Sequence, residues 1–158
     1  MPISTGLRRF LDRNHVSFTH HVHPAVYTAR ELASVEHVPE HRVAKAVVYL
    51  GDDGFGMGVL PADYIIDLQE LRAALGLHHV RLATEEEIAA LFGDCELGAM
   101  PPFGVLYNLP TFLESSLAGE EKICFNAGSH KDVVYVAMED YKRLAKPMIV
   151  HFSRLSTA

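Results

Sequence analysis

Three short stretches carry residue types that could do chemistry. The first is HRVAKAVVYL, His41 to Leu50, whose one lysine, Lys45, stands at the mouth of an apolar run. An ammonium group is strongly hydrated and is almost never fully buried unless it is paired. Either Lys45 snorkels back to water over its own apolar stem, or it points into a cleft and offers a cation to an anion. The second stretch is GAMPPFG, Gly98 to Gly104. Its two prolines remove two donors and fix φ at both positions, and the flanking glycines permit positive φ and close approach. The loop is therefore stiff, with N–H groups at Gly98, Ala99 and Met100. Oriented N–H dipoles can hold a carbonyl or stabilise a developing oxyanion; the plain alternative is a proline-rich connection. The third stretch, NAGSHK, Asn126 to Lys131, offers small residues, several N–H groups and an imidazole at a strand end. It suits a polar ligand, or it is an ordinary hairpin turn. A Ser129–His130 nucleophile–base pair is not expected, because adjacent residues on a strand point apart.

Several other chemistries find no support. There is no G-x-x-x-x-G-K-[ST] phosphate loop, and GFGMG follows a hairpin instead of opening a helix, so it is not a dinucleotide fingerprint. No G-x-S-x-G elbow is present. Cys95 and Cys124 stand in no metal-type spacing and read as reduced structural thiols of a cytoplasmic protein. The ten histidines include His20, His21 and His23 in THHVHP. Along a strand His20 and His21 face opposite ways, so a metal site is not expected, and no other cofactor is indicated. The net charge of −6 argues against a general nucleic-acid coat, which sets many cations against phosphate. It leaves room for a protein that grips one nucleic-acid end with a few.

These residues need elements to position them. At 158 residues the chain reads as a single domain, 1–158, that can bury roughly 70 % of its unfolded surface without metals or disulfides. No apolar run approaches the ~20 residues of a membrane span, and the N-terminus does not read as a signal peptide. Ser4 caps a first helix with Leu7, Phe10 and Leu11 on one face. VSFTHHV alternates as a half-buried strand. Thr28 and Glu31 form a capping box that opens a helix carrying Leu32 and Val35. VAKAVVYL and GFGMGVLPA are two strands joined by a turn at Asp53-Gly54. Asp67 opens a helix through Leu68, Leu71 and Leu75, and Gly76 ends it. HVRLA is a short strand, and Thr84 with Glu87 caps a helix that buries Ile88 and Leu91. A further strand is expected near Val105 to Tyr107, then two strands around a turn at Gly128 to Lys131. MEDYKRLA is a last helix, stopped before Pro147. The fold class is α+β, with a mixed, mostly antiparallel sheet and helices packed outside.

The lysine that begins VAKAVVYL resembles the hallmark lysine of the YbaK-type aminoacyl-tRNA deacylases, a superfamily that includes the editing domain inserted in bacterial prolyl-tRNA synthetases. GAMPPFG resembles its G-x-x-x-P loop, with Gly98 and Pro102 at the key places, and NAGSH resembles its C-terminal small-residue turn. YTARELA, GVLPAD with IDLQELRAALG, and LATEEEI also fit, so the resemblance covers about residues 3 to 150. Each motif alone is weak; their order and spacing are specific.

The resemblance implies a curved mixed sheet or barrel surrounded by helices, and a cytoplasmic trans-editing hydrolase. Such an enzyme cleaves the ester between a wrong amino acid and the terminal ribose of a tRNA. By that analogy Lys45, Gly98 and His130 are the catalytic set. Lys45 would hold the phosphate or ribose of the tRNA 3′ end, and Gly98 with its neighbours would position the ester carbonyl. His130 would contact the aminoacyl group or size its pocket. Tyr27, Ala99, Met100, Pro101, Pro102, Phe103, Gly104, Gly128 and Ser129 would bind substrate. The family uses no protein nucleophile; substrate hydroxyls and a bound water serve instead. The amino acid removed would be small, such as alanine, cysteine or proline, on tRNA(Pro) or tRNA(Cys). The implied partners are the aminoacyl-tRNA acceptor end and a cognate synthetase, with no membrane or DNA partner and a monomeric chain. A different class of function uses the same cleft: a non-catalytic module that recognises a tRNA 3′ end, a nucleotide or a protein.

Overall fold

Side-chain caps open the first four helices where the sequence places them. The computed structural model describes residues 3–156. Ser4 accepts the Leu7 N–H at 3.3 Å and starts α1 (Thr5–Arg13), which buries Leu7 and Leu11. After β1 (Thr19–Val22), Thr28 accepts the Glu31 N–H at 3.0 Å and starts α2 (Ala29–Glu36). The Glu31 carboxylate accepts from the Tyr27 N–H and the Thr28 hydroxyl, one position off the expected box. Leu32 is fully buried, but Val35 is exposed.

The central hairpin pairs β2 (Ala44–Gly51) with β3 (Gly54–Pro61), antiparallel, with Lys45 opposite Leu60. Its turn is Asp52-Asp53, flanked by the paired Gly51 and Gly54, one residue earlier than the sequence suggests. The reason is partly tertiary: the Asp52 carboxylate accepts the His78 and His79 N–H groups at 2.7 and 2.8 Å, and Gly54 takes the positive φ of +126° that closes the turn. Next come β4 (Tyr64–Ile66), α3 (Leu68–Leu75), β5 (Val80–Leu82) and α4 (Glu85–Leu91). Asp67 caps α3, Gly76 ends it at φ +66°, and Thr84 with Glu87 forms a complete capping box on α4. Ile88 and Leu91 are only half-buried.

The strand expected at Val105 to Tyr107 is instead a 3₁₀ turn, Gly104–Tyr107. Asn108 at φ +57° and a Leu109 N–H bond to Gly104 fold the chain back. The strand starts later, as β6 (Thr111–Glu114), followed by α5 (Ser115–Ala118), β7 (Lys122–Asn126), β8 (Asp132–Ala137), α6 (Met138–Ala145), β9 (Met148–Val150) and β10 (Ser153–Leu155).

The larger sheet has the order β5-β2-β3-β6-β9, and a second has the order β1-β8-β7. A short β10-β4 pair completes the set. The ladders are antiparallel except β3–β6 and β6–β9, so the mixed, mostly antiparallel α+β expectation holds. Among the described residues no sheet closes into a barrel; the two larger sheets meet at one parallel bridge, Val43 to Cys124. The main core lies between them, built from Leu7, Leu11, Met57, Val59, Phe103, Leu113, Phe125, Val134 and Tyr141. α2 closes a second cluster with Leu32, Val43 and Cys124. The fully buried Glu114 accepts from the N–H groups of Ser116, Phe152 and Ser153 and from the Ser153 hydroxyl, which anchors β10. Among the described residues no helix is long and apolar enough to cross a membrane.

Candidate active site

Alternation on β2 decides where Lys45 goes. Ala44 and Val48 turn to the main core, while Val47 and Tyr49 join a separate cluster on the opposite face. Lys45 takes that opposite face and stays half-buried. Its Nζ donates to the Ala62 carbonyl at 3.4 Å, and among the described residues it forms no ion pair. Burial holds its ammonium below the usual lysine range, the Arg30 charge adds to this, and Asp63 opposes it. The cation is desolvated and lacks a close counter-charge, which is the condition for a strong interaction with an arriving anion.

Lys45 separates two hollows. The inner one, about 190 Å³, is lined by Ala44, Lys45 and Ala46 of β2, by Tyr27 and Ala29 at the start of α2, by Gly98 and Met100, and by Asn126 at the end of β7. The outer one, about 270 Å³, adds Thr28, Arg30, Ala62 and Ile65. A larger hollow of about 650 Å³ between Tyr49, Phe55, Leu77, Tyr107 and Phe112 contains no lysine, arginine or histidine. Its volume brings no chemistry with it.

The two loops hold each other. Gly98 sits at φ +86°, a conformation that favours glycine. The Ala99 N–H donates to Glu96 at 3.0 Å, so it is not free as the sequence suggests; the Gly98 and Met100 N–H groups have no partner among the described residues. The Ala99 carbonyl accepts the Gly128 N–H at 2.9 Å, and the Gly128 carbonyl accepts the Glu96 N–H at 2.7 Å. Gly128, at φ +101°, lies so close to α1 that a Cβ there would stand 2.8 Å from the Ser4 Cβ. The Glu96 carboxylate accepts the His130 N–H at 2.7 Å, and the His130 Nε2–H donates to the Leu97 carbonyl at 2.7 Å. A carbonyl only accepts, so Nε2 carries the proton. The buried Nδ1 has no partner. The imidazole packs on the Tyr27 ring with centroids 4.8 Å apart. His130 thus stands behind the cavity wall, bracing Leu97-Gly98 and Tyr27.

The rest of GAMPPFG faces inward. Ala99 and Phe103 are fully buried, and Pro101, Pro102 and Gly104 are buried. Phe103 meets the rings of Phe10, Phe125 and Tyr141 edge-on, and the Pro102 carbonyl accepts the Tyr141 hydroxyl at 2.7 Å. These residues clamp the loop from the core side. Ser129 is also committed: its hydroxyl donates to Asp132 at 2.5 Å and accepts the Lys131 and Asp132 N–H groups. The other Asp132 oxygen meets His20 Nε2 at 2.6 Å. Ser129 and His130 therefore serve different partners. His21 pairs with Glu36, and His23 bonds the Pro24 carbonyl. Among the described residues no group of three or more His, Cys, Asp or Glu side chains is arranged to hold a metal. Burial pushes both free thiols, Cys95 and Cys124, up to about 12.

Sequence reasoning missed Asn126, Glu96 and Arg30. Asn126 had a faint signal, a polar amide ending the apolar run ICF. Glu96 had none, because its role is set by a tertiary hydrogen bond.

Residues 23–144 match the family profile described as the aminoacyl-tRNA editing domain. Over 99 residues the chain is 34 % identical to the Multifunctional Ser/Thr-tRNA deacylase ProXp-y of Escherichia coli (strain K12), a match covering 62 % of this chain and 59 % of that protein. It is 35 % identical over 81 residues to the Proline--tRNA ligase of Thermosipho africanus (strain TCF52B), covering 51 % of this chain and 14 % of the ligase. The chain thus spans less than two thirds of the length of either relative. A crystal structure described as a candidate trans-editing enzyme for prolyl tRNA synthetase superposes with a TM-score of 0.80 at 23 % identity, covering 96 % of this chain and 99 % of that one. A hypothetical protein gives a TM-score of 0.84 at 18 % identity, covering 94 % and 99 %. These two likenesses establish the fold.

Proposed function

The chain belongs to the aminoacyl-tRNA editing domain family, and from that premise we propose that it is a deacylase that frees tRNA from a small, wrongly attached amino acid. The observation that carries this reading is the meeting of Lys45, Gly98 and Met100 in one cavity of about 190 Å³. The reaction is ester hydrolysis. Water adds to the acyl carbon, the bond to the ribose oxygen breaks, and that oxygen leaves with a proton. Lys45 binds the phosphate or ribose of the 3′ end, at the junction of the two hollows. The Gly98 and Met100 N–H groups face the carbonyl oxygen as it gains charge. His130 is a positioning residue that fixes the loop through Leu97. Orientation and oxyanion stabilisation lower the barrier for an ester that is already activated. The small alanine-lined wall fits a small aminoacyl group. Alanine, cysteine and proline are within that class, and so are the serine and threonine named for the Escherichia coli relative. The tRNA acceptor end is the macromolecular partner, and the match to proline–tRNA ligases makes a synthetase a reasonable dock.

The test is a panel of charged tRNAs incubated with the protein and with Lys45→Ala. One or two amino acids are released rapidly, and the variant loses roughly 10- to 100-fold in kcat/KM, the worth of a charge-assisted hydrogen bond. Binding of charged tRNA with no release of any amino acid overturns the deacylase reading in favour of a binding module.

A further inference from the structure

The wall of the inner cavity contains two polar side chains that the reaction above does not use, Tyr27 and Asn126, and the second has a buried atom without a partner. Asn126 is the last residue of β7, and its backbone is fixed on both sides. It pairs with Val133 in the ladder, and the next residue, Ala127, gives its carbonyl to the Ser4 N–H at 2.9 Å and its own N–H to Asp132 at 3.0 Å. The side-chain amide is not fixed. Its Oδ1 is buried and has no hydrogen-bond partner, and no bond to this side chain exists among the described residues. Buried polar groups in folded proteins nearly always have a partner, and leaving one unmade is costly. A half-buried amide that lines a ligand cavity, with its buried oxygen unbonded, is a group whose partner arrives with the ligand.

We infer that the Asn126 amide hydrogen-bonds a hydroxyl on the side chain of the aminoacyl group, so that the site selects serine and threonine esters over their non-hydroxylated isosteres. This rests on the deacylase reading. The chemistry of the cavity excludes the other polar part of the substrate, its α-ammonium. No aspartate or glutamate lines the cavity, and Lys45 already places a cation in it. An ammonium group there would meet like charge with no compensation. A hydroxyl both donates and accepts, and so does a primary amide. Oxygen and nitrogen of the amide exchange places by a half-turn about the last side-chain bond, so either can face the ligand. The remaining side chains are the apolar Ala29, Ala44, Ala46 and Met100 and that of Tyr27, whose ring packs on His130; of these lining residues Asn126 is the one whose buried polar atom lacks a partner. A site built to bond a hydroxyl rejects the analogue that lacks it far more strongly than an apolar pocket rejects one extra atom.

The experiment measures kcat/KM for serine against alanine, and threonine against valine, each esterified to the same tRNA. The intact protein and the Asn126→Leu and Asn126→Asp variants are compared, with a thermal melt for each. The intact protein prefers the hydroxylated member of each pair by at least ~100-fold. Asn126→Leu brings both ratios to within about threefold of unity, mainly by losing serine and threonine. Asn126→Asp retains an acceptor of the same size and keeps part of the preference, which provides a readout if the leucine variant does not fold. An intact protein that hydrolyses esters without preferring the hydroxyl, or variants that lose both members of a pair equally, overturn the inference while leaving the deacylase reading intact. No hydrolysis of any ester overturns the deacylase reading itself.

Discussion

Lys45 costs the fold what it gives the site. Burial and the Arg30 charge depress its pKa below the ordinary lysine value. Between the depressed folded value and the unfolded one, the unfolded chain binds more protons, so stability rises with pH through that window. Below the window the charged form is present in both states and its desolvation opposes folding. Lys45→Met keeps the stem and removes the charge. It is expected to raise stability by roughly 1 kcal/mol at neutral pH, seen as a higher Tm, while abolishing the contribution of the cation to the proposed aminoacyl-ester hydrolysis. The stability difference from the intact protein should shrink as pH rises towards the lysine range. A variant that loses both stability and activity would mean that Lys45 is a structural hydrogen-bond donor to Ala62. Lys45→Arg is not a conservative rescue, because a planar guanidinium fills an inner hollow of only about 190 Å³.

At the scale of the elements, legibility followed the range of the interaction. Caps are local, so Ser4, Thr28, Asp67 and Thr84 announce their helices from the sequence. The β2–β3 hairpin was equally plain, and only its turn slipped by one residue, because His78 and His79 claim Asp52 from far along the chain. The strand misplaced at Val105 has the apolar residues of a strand, but Gly104 packs against Thr111 and Leu109 so tightly that a Cβ would lie 2.3 Å from the Thr111 hydroxyl. β4, β9 and β10 are three residues each and carry no readable period. The site divides in the same way: Lys45, Gly98 and His130 have visible types and spacing, whereas the Glu96 brace is wholly tertiary. Glu114 is another tertiary brace, and it yields a prediction. Burial alone would push its carboxyl up, but bonds from the Ser153 hydroxyl, the Phe152 and Ser116 N–H groups and His151 outweigh this and bring it down to about 2. A depressed carboxylate stabilises the fold above its unfolded value, near the ordinary 4.5, and that stability is lost as pH falls through about 2. Glu114→Gln should cost on the order of 2 kcal/mol at neutral pH. The gap to the intact protein should narrow across that acid window in a series of thermal melts. A gap of constant size at every pH would assign the loss to packing instead of charge.

For the whole molecule, the sum of charges decides how a polyanion is met. The chain carries a net charge of −6, and the proposed site sets Lys45 and Arg30 at one mouth. Two phosphate contacts to a single-stranded end give a slope of about −1.4 for log affinity against log salt. Binding titrations of charged tRNA across a salt series read this slope directly. A slope several times steeper would require a larger basic surface than these two residues supply. The second sheet joins distant parts of the chain: β1 from near the start pairs with β8 from near the end, and the Ser4 N–H bonds the Ala127 carbonyl beside Gly128. Domains made on the ribosome grow from their N-terminus. α1 and β1 must therefore wait through most of translation for the hairpin that completes the cavity wall. The cavity wall cannot be complete before that hairpin is made, and a nascent chain stalled before it has Lys45 in hand but no finished pocket around it.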